Sequence, residues 1–207
     1  MPSEYRTVNR FNSDEYIVKR SRFIGYAKPV ASVEEANAFI AEIKSKHWDA
    51  THNVSAYVLS ENNIQRSSDD GEPSGTAGVP VLDVLLKENL VDVCVVVTRY
   101  FGGTLLGAGG LIRAYSHGSK IAVESGNIIT MAPCKIMSCL VDYSFYDRMN
   151  ILLTEFNANV ENSDFADKIN ITFSLKADLV EELNSRLIEI SNGKYSLKEL
   201  GEKFAKI

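Results

Sequence analysis

The clearest alternation of apolar and polar positions lies in the C-terminal part of the chain. Residues 135–143 alternate in this way, which predicts a half-buried strand. The next apolar residues follow at helical spacing, so we expect a helix with Ser144 at its N-cap and Asp147 in its first turn. The predicted apolar face consists of Met149, Leu152, Leu153 and Phe156.

The pattern continues as far as residue 200. Residues 158–163 and 168–176 are predicted strands, joined by a short polar turn. Asp178 and Glu181 are expected to start a second helix with a leucine-rich face, and residues 195–200 form the last predicted strand. The resulting order, βαββαβ, is that of a split βαβ or ferredoxin-like domain.

The first 130 residues mix strands and helices less regularly. Strands are predicted at residues 5–11 and 15–29, and a capping box of Ser32 and Glu35 predicts a helix over residues 33–47. Further along, residues 53–59 and 64–68 are predicted to pair as a hairpin, and residues 79–87 to form a helix. Residues 91–98 are predicted to form a strand buried on both faces, and residues 111–125 to form the last helix.

Length and composition indicate two globular domains. The chain has 207 residues, 45% of them hydrophobic and 24% charged, and roughly 100 residues suffice for a domain with its own core. We therefore expect an α+β protein with domains at residues 1–131 and 132–207. The junction carries Gly126 and Pro133, so limited proteolysis is expected within residues 126–134.

The sequence favours a cytoplasmic location without membrane contact. The longest apolar run, residues 91–98, is far shorter than the roughly 18 residues that a membrane span needs. The N-terminal residues lack a basic stretch followed by an apolar one, so we expect no signal peptide. The cysteines have no zinc-site spacing and fit a reducing compartment. They are Cys94, Cys134 and Cys139.

A glycine-rich segment connects the predicted buried strand to the helix that follows it. It reads TRYFGGTLLGAGGLIRAY over residues 98–115. Glycine lets backbone N–H groups approach a ligand closely and a helix N-terminus attracts anions, so phosphate is the expected ligand, with Arg99 and Arg113 adding charge-assisted contacts. The alternative is a tight turn with close helix packing, in which both arginines pair with acids. The candidate glycines are Gly102, Gly103, Gly107, Gly109 and Gly110.

An acidic, turn-rich segment covers residues 67–78 and reads SSDDGEPSGTAG. Its carboxylates, Asp69, Asp70 and Glu72, would bind a hard cation or form an acid/base pair if the fold brought them together. For a softer metal, His47 and His52 would be the additional ligands. The alternative is that the acids cap a helix and pair with arginine. We expect no metal site, since the segment lacks the ligand order of an EF-hand.

A short basic run, KRSRF, occupies residues 19–23 within a strand pattern. Alternation along a strand would separate Lys19 and Ser21 from Arg20 and Arg22. A basic strand face beside an aromatic residue suits phosphate contacts and base stacking, whereas the alternative is a solvated charged face. The net charge of −5 repels polyanions, so any nucleic-acid role depends on such a local basic patch.

Two linked motifs resemble the Impact (YigZ) family. They are DDGEPSGTAG over residues 69–78, which includes Thr76 and Gly78, and VVVTRYFGGTLLGAGGLIRAY over residues 95–115. KRSRFI and HNVSAY, over residues 19–24 and 52–57, extend the resemblance to nearly the whole chain. Val54 stands where relatives often carry cysteine, which argues against a thiol nucleophile at this position.

The resemblance implies an N-terminal domain similar to the second domain of a small-subunit ribosomal protein. It implies a C-terminal domain similar to the last domain of elongation factor G. The eukaryotic proteins that this chain resembles regulate translation initiation during starvation, by competing for an activator of a stress kinase. A regulatory role in this chain follows by analogy only.

Residues and resemblance together favour a non-enzymatic binding or regulatory protein linked to translation, with no cofactor and no metal. RNA, the ribosome or a translation-associated protein is the expected partner, bound through Lys19, Arg20, Arg22 and the glycine-rich surface. One alternative is an enzyme, either a phosphotransferase using the glycine-rich segment or a metal-dependent hydrolase using the acidic one. The other is an adaptor that binds protein only.

Overall fold

The computed structural model of the protein describes residues 4–206. It divides into two compact units, Tyr5–Ile129 and a C-terminal unit that begins at Thr130. Each unit combines antiparallel strands with helices, which confirms the α+β class. Within the described residues, no helix is long and apolar enough to cross a membrane.

The N-terminal unit is built on a five-stranded antiparallel sheet. The elements are β1 (Tyr5–Val8), β2 (Asn12–Val18), β3 (Ser21–Pro29), α1 (Val33–Lys46), β4 (His52–Leu59), β5 (Ile64–Ser68), α2 (Gly78–Lys87), β6 (Val93–Tyr100) and α3 (Ala108–Ser125). The strand order in the sheet is β2-β3-β6-β4-β5. The central strand, β6, is therefore hydrogen-bonded on both sides, as its nearly all-apolar sequence predicts.

Helices cover both faces of this sheet. Val95 and Val97 of β6 pack with α2 and α3, whereas Cys94 and Val96 pack with α1. Ser32 caps α1 by accepting a hydrogen bond from the Glu35 N–H at 3.2 Å, as predicted. The sheet is thus the middle layer of three, with an apolar core on each side.

A close contact between helix and sheet joins α3 to β3. A Cβ atom added to Gly25 would lie 2.2 Å from the carbonyl oxygen of Gly118, and one added to Gly118 would lie 2.8 Å from Val97. Only glycine permits this approach. Close packing therefore fixes α3, and with it the loop that precedes α3.

The C-terminal unit has the predicted βαββαβ order. Its elements are β7 (Ile128–Val141), α4 (Tyr146–Glu155), β8 (Asn159–Phe165), β9 (Ile169–Lys176), α5 (Val180–Ile190) and β10 (Lys198–Lys206). Their antiparallel sheet has the order β10-β7-β9-β8. Met149 and Leu153 of α4 and Leu183 and Leu187 of α5 pack against the sheet in one core, so the ferredoxin-like prediction is confirmed.

The junction between the units differs from the prediction. Strand β7 runs from Ile128 to Val141 without interruption, and Met131 to Ser138 pair with β10. Strand β10 correspondingly covers Lys198–Lys206 instead of residues 195–200. The prediction of a protease-sensitive junction at residues 126–134 conflicts with this, because strand pairing holds most of that backbone.

The predicted strand over residues 15–29 is in fact a hairpin. Val18 pairs with Ser21, and the two-residue turn between them consists of Lys19 and Arg20 with φ of +44° and +67°. Positive φ at both positions is the mark of a type I′ turn. Lys19 and Arg20 therefore lie at the tip of a hairpin, and only Ser21, Arg22 and Phe23 follow the expected alternation.

The N-caps predicted for the C-terminal unit are wrong, although Asp147 does lie in the first turn of its helix. Neither α4 nor α5 has a side-chain cap, so Ser144 and Asp178 do not act as N-caps. A single 3₁₀ turn precedes each helix, at Tyr143–Phe145 and Ala177–Leu179. This extra turn displaces the predicted cap residues from the position at which capping is possible.

Candidate functional site

The exposed glycine-rich loop ends at the N-terminus of α3. Gly107 has φ of +71° and precedes the helix, and its carbonyl oxygen accepts the first helical hydrogen bond from the Leu111 N–H at 2.9 Å. Gly109 and Gly110 thus lie in the first turn of α3, not in the loop as predicted. In residues 4–206, no acceptor pairs with the N–H groups of residues 108–110. Such groups attract anions.

Gly102 brings the Lys19–Arg20 turn against the start of this loop. A Cβ atom at Gly102 would lie 2.0 Å from the carbonyl carbon of Arg20, and the Gly102 N–H donates to Ser21 Oγ at 3.2 Å. Gly103 has φ of +79°, which lets the chain turn away after this contact. Two segments that are about 80 residues apart in sequence therefore form one surface.

A pocket of about 200 Å³ lies between the hairpin and α3. Three basic side chains line it, Lys19, Arg113 and His117, together with the backbone at Gly110. We call this the basic pocket. Its other lining residues are Tyr16, Val18, Leu106 and Ala114, so no carboxylate contributes to its wall. Arg113 and His117 are one helical turn apart and therefore share a face of α3.

Tyr16 fixes the wall of the basic pocket. Its hydroxyl donates to the carbonyl oxygen of Ala114 at 2.5 Å, and its ring stands edge-on to His117 with the centroids 4.5 Å apart. The ring also stacks on the buried Phe23, with the centroids 5.3 Å apart. These contacts hold strand β2 and helix α3 at a fixed separation.

The cations near the loop differ in how far their charge is neutralised. Lys19, Arg20 and Arg113 are exposed, and none has a carboxylate within ion-pair distance in the part of the chain that the structure describes. Arg22 instead bonds to Glu15 through both Nε and Nη2, at 3.1 and 2.5 Å. An incoming anion thus meets three unpaired cations and one paired cation.

Arg99 lies inside the fold and does not share the exposed surface of the loop. It is only 5% exposed, and its Nη1 donates to Glu72 Oε1 at 2.6 Å. The Tyr115 hydroxyl donates to the same oxygen at 2.7 Å. For Arg99, the structure therefore agrees with pairing to an acid and not with a phosphate contact at the loop surface. Its Nε has no hydrogen-bond partner in the described residues.

Each carboxylate of the acidic segment has its own partners. Asp69 accepts hydrogen bonds from the N–H groups of Gly75, Ala77 and Gly78, at 2.9, 3.1 and 2.7 Å. Burial raises the pKa of Asp69, but these three donors outweigh burial and bring the pKa below its ordinary value. Asp69 thus caps the start of α2, which agrees with the interpretation that the acids of this segment cap a helix.

Asp70 joins the acidic segment to α1 and β4. Its carboxylate accepts hydrogen bonds from Lys44 Nζ and from the Asn53 N–H, both at 2.6 Å. Its carbonyl oxygen accepts from Nδ1 of His52 at 2.8 Å, which leaves Nε2 of His52 3.8 Å from Glu72 Oε2. A hydrogen bond to the backbone thus orients the histidine.

The remaining motif residues shape the same segment. The Thr76 hydroxyl donates to the Pro73 carbonyl oxygen at 2.7 Å, and a Cβ atom at Gly78 would lie 2.8 Å from the backbone of Ser68. In residues 4–206, no three His, Cys, Asp or Glu side chains are grouped so as to hold a metal ion. The segment acts chemically as a set of caps and ion pairs.

Sequence reasoning missed His117, which lies in the basic pocket. Its spacing of four residues from Arg113 was the available signal, because i and i+4 positions share a helix face. The proximity of Lys19 to this face, by contrast, depends on the hairpin turn that the pattern did not predict.

Comparison with known proteins covers both units. The Impact N-terminal domain matches residues 19–123. The chain is 40% identical over 200 residues to the IMPACT family member YvyE of Bacillus subtilis (strain 168), covering 96% of this chain and 92% of the relative. The chain belongs to the Impact family. Another family member, YigZ of Escherichia coli (strain K12), is 32% identical and is matched over 89% of this chain and 92% of its own length.

Three further matches concern the C-terminal part of the chain, a mammalian protein and a solved structure. A domain of unknown function, DUF1949, matches residues 139–194. Protein IMPACT of Rattus norvegicus is 35% identical over 95 residues, which is 43% of this chain and 29% of the rat protein. A crystal structure of a hypothetical protein superimposes with a TM-score of 0.61 at 30% identity, covering 98% of this chain and all of that one.

Most of the basic pocket falls within the Impact N-terminal domain match, and only Tyr16 and Val18 of its lining precede the matched range. Lys19 is the first matched residue, and Arg113 and His117 also lie inside the matched range. The pocket is therefore a feature of the part of the chain that the Impact family defines, and the DUF1949 match contains none of its lining residues.

Proposed function

We propose that this protein is a non-enzymatic binding protein linked to translation, and that its basic pocket holds a phosphate group of RNA. The observation that carries the proposal is the lining of the pocket, where Lys19, Arg113 and His117 face one space without a carboxylate. Charge-assisted hydrogen bonds from lysine and arginine are the usual means of holding phosphate.

Backbone geometry supports an anion as the ligand. The unpaired N–H groups at the start of α3 lie in the same segment as Gly110, which lines the pocket, and glycine at this turn allows a phosphate oxygen to approach the backbone. Arg20 extends the positive surface along the hairpin turn. Together these groups offer both charge and directed donors.

The partners of the acidic segment favour binding over catalysis. Asp69, Asp70 and Glu72 are each held by backbone donors or by a cation, so no free carboxylate stands ready as a general base. The basic pocket itself contains no nucleophile paired with a base. The combination of cations with backbone donors in this pocket suits the binding of an anion.

The proposal assigns the binding role to residues 1–131 and leaves residues 132–207 as a separate domain. A cytoplasmic location follows from it, because that is where translation provides RNA. The net charge of −5 repels RNA at long range, so binding is expected to be weak and confined to the basic surface.

The direct test is a titration of dye-labelled single-stranded RNA, followed by fluorescence anisotropy at several salt concentrations. We expect the logarithm of the binding constant to fall linearly with the logarithm of the salt concentration. Three phosphate contacts to a single strand give a slope of about −2. If neither RNA nor inorganic polyphosphate shows salt-dependent binding, the proposal is wrong.

A further inference from the structure

Phe101 is an exposed aromatic residue that the fold holds in a fixed position. It follows β6 directly, and its side chain is 45% exposed. Its backbone N–H donates to Thr51 Oγ at 3.0 Å, which ties this point of the chain to the residue before β4. An exposed ring on such an anchored backbone is available to a ligand.

A buried arginine supports the Phe101 ring from within the fold. The guanidinium carbon of Arg99 lies 5.4 Å from the centroid of the Phe101 ring and 5.6 Å from that of the buried Phe23. Cation–π attraction favours a ring lying over the guanidinium group. Because Glu72 binds Arg99 at 2.6 Å and both residues are buried, the guanidinium group beneath the ring is held in place. We call Phe23, Arg99 and Phe101 the arginine stack.

The arginine stack ends beside the exposed cations. Phe101 precedes Gly102, whose backbone is in close contact with that of Arg20, and Lys19 lies next to Arg20 in the hairpin turn. The backbone that carries the aromatic ring thus adjoins the backbone of the cationic turn, although the chain is acidic as a whole. A phosphate ion would use only the cations and would leave the ring without a role.

The combination of a supported aromatic face with unpaired cations fits one class of ligand. In single-stranded nucleic acid, bases are free to stack on aromatic side chains while cations contact the backbone. In a duplex, base faces are covered by their neighbours, and recognition relies on shape and on the phosphate and sugar groups. A phosphorylated protein offers the charge but not the base.

We propose that Phe101 is a base-stacking residue and that the ligand of this surface is a single-stranded nucleic acid. The inference rests on the proposed function, since it names the ligand class of the same surface. Arg99 acts as a positioning residue that holds the ring, and Lys19, Arg20 and Arg113 contact phosphates along the strand. Stacking tolerates any base, so little sequence preference is expected.

The test compares Phe101→Leu with Phe101→Trp in full-length protein, because leucine keeps an apolar side chain and loses the ring. Phe101→Leu should bind a labelled single-stranded 10-mer RNA about 5- to 100-fold more weakly than wild type. Its affinity for inorganic polyphosphate should be unchanged, and Phe101→Trp should bind the RNA at least as well as wild type. Thermal unfolding midpoints check that the variants are folded.

A matched control is available in the same unit. Phe11 is 48% exposed and stacks on Tyr26, with the centroids 6.3 Å apart. Phe11→Leu should leave RNA affinity unchanged. Trp48 is the chain's single tryptophan, so Phe101→Trp combined with Trp48→Phe places one fluorophore in the arginine stack. Single-stranded RNA should quench this fluorescence, and polyphosphate should not.

The outcomes separate this inference from the proposed function. If wild type binds neither RNA nor polyphosphate, both are wrong. If single strands, duplex and polyphosphate bind alike and Phe101→Leu behaves as wild type, only the stacking inference is overturned. A single-stranded DNA of the same sequence, measured in parallel, distinguishes the sources: tighter binding of RNA assigns the ligand to RNA, and equal or tighter binding of DNA assigns it to single strands in general.

Discussion

The carboxylate of Glu72 lies 2.6 Å from Nη1 of Arg99, and both side chains are buried. The two residues belong to the two motifs that dominate the sequence, and they are 27 positions apart. Tyr115 of α3 donates to the same carboxylate oxygen, so one buried acid joins the acidic segment, strand β6 and helix α3. The acidic segment thus supports the basic surface from inside the fold.

We expect removal of Arg99 to destabilise the protein strongly. Arg99→Ala leaves the Glu72 carboxylate buried without its cation, and breaking a buried pair in this way costs about 3–5 kcal/mol. Urea unfolding measures the loss. The control is Lys120→Ala, which removes an exposed pair with Glu124 and should cost less than about 1 kcal/mol. A similar small loss for Arg99→Ala would contradict the structural role of the pair.

Asp69 should make the stability of the protein sensitive to acid. Its pKa in the folded protein lies below the ordinary value of 3.8, because three N–H donors outweigh the effect of burial. The charged form therefore stabilises the fold above about pH 4, and this contribution is lost as the pH falls through the lowered pKa. Asp69→Asn should lower the urea midpoint at pH 7 and differ less from wild type at pH 3.

The control for this experiment is Asp83→Asn on the exposed surface of α2. The Asp83 side chain has no hydrogen bond or ion pair in the described residues, so the substitution should change the midpoint little at either pH. An Asp69→Asn variant as stable as wild type at pH 7 would show that the cap contributes nothing.

Gly109→Ala is expected to separate stability from binding. A Cβ atom there would meet only Arg113 Nη1, at 3.8 Å, and alanine is favoured over glycine within helices by about 0.5–1 kcal/mol. The variant should unfold at the same or a higher temperature. Binding should weaken, since the added methyl group lies where a phosphate would approach the first-turn N–H groups. Unchanged RNA affinity would mean that these groups do not contact the ligand.

Sequence reasoning succeeded where local pattern decides the structure. The leucine-rich face of α5 and the alternation in β7 and β9 predict the C-terminal unit because burial of one face dictates both periods. The Lys19–Arg20 turn was missed because a type I′ turn is normally signalled by Asn-Gly or Asp-Gly, and here two long cationic residues adopt positive φ. The strand pattern continues through these two residues, so the sequence predicted one long strand over residues 15–29.

The site was predictable only in part. Arg113 was identified as a cation of the helix after the glycine-rich segment, and it lies in the second turn of that helix, which begins at Ala108. The burial of Arg99 was not predictable, because it depends on Glu72 meeting β6 from a loop that precedes α2. The role proposed for Phe101 likewise follows from a tertiary contact, with Arg99 beneath its ring.

The C-terminal unit should fold by itself if the fragment includes all of the residues of β7 that pair with β10. Pairing of β10 with β7 begins at Met131, so a fragment that starts at residue 130 retains the pairing, whereas one that starts at residue 133 loses its first registers. The longer fragment should unfold cooperatively in urea with a midpoint higher than that of the shorter one. Non-cooperative unfolding of both fragments would contradict an independent domain.

Arg113→Ala tests most directly the claim that the basic pocket holds phosphate. Arg113 is exposed and has no acidic partner in the described residues, so its removal should hardly change the urea midpoint. Arg66→Ala, on the far edge strand β5, is the matched control and should bind RNA as wild type does. The measurement is the salt dependence of the affinity for single-stranded RNA. The account predicts that Arg113→Ala weakens binding to all sequences alike and reduces the salt slope by about 0.7–1. An unchanged slope, or a loss of several kcal/mol of folding stability in its place, would contradict it.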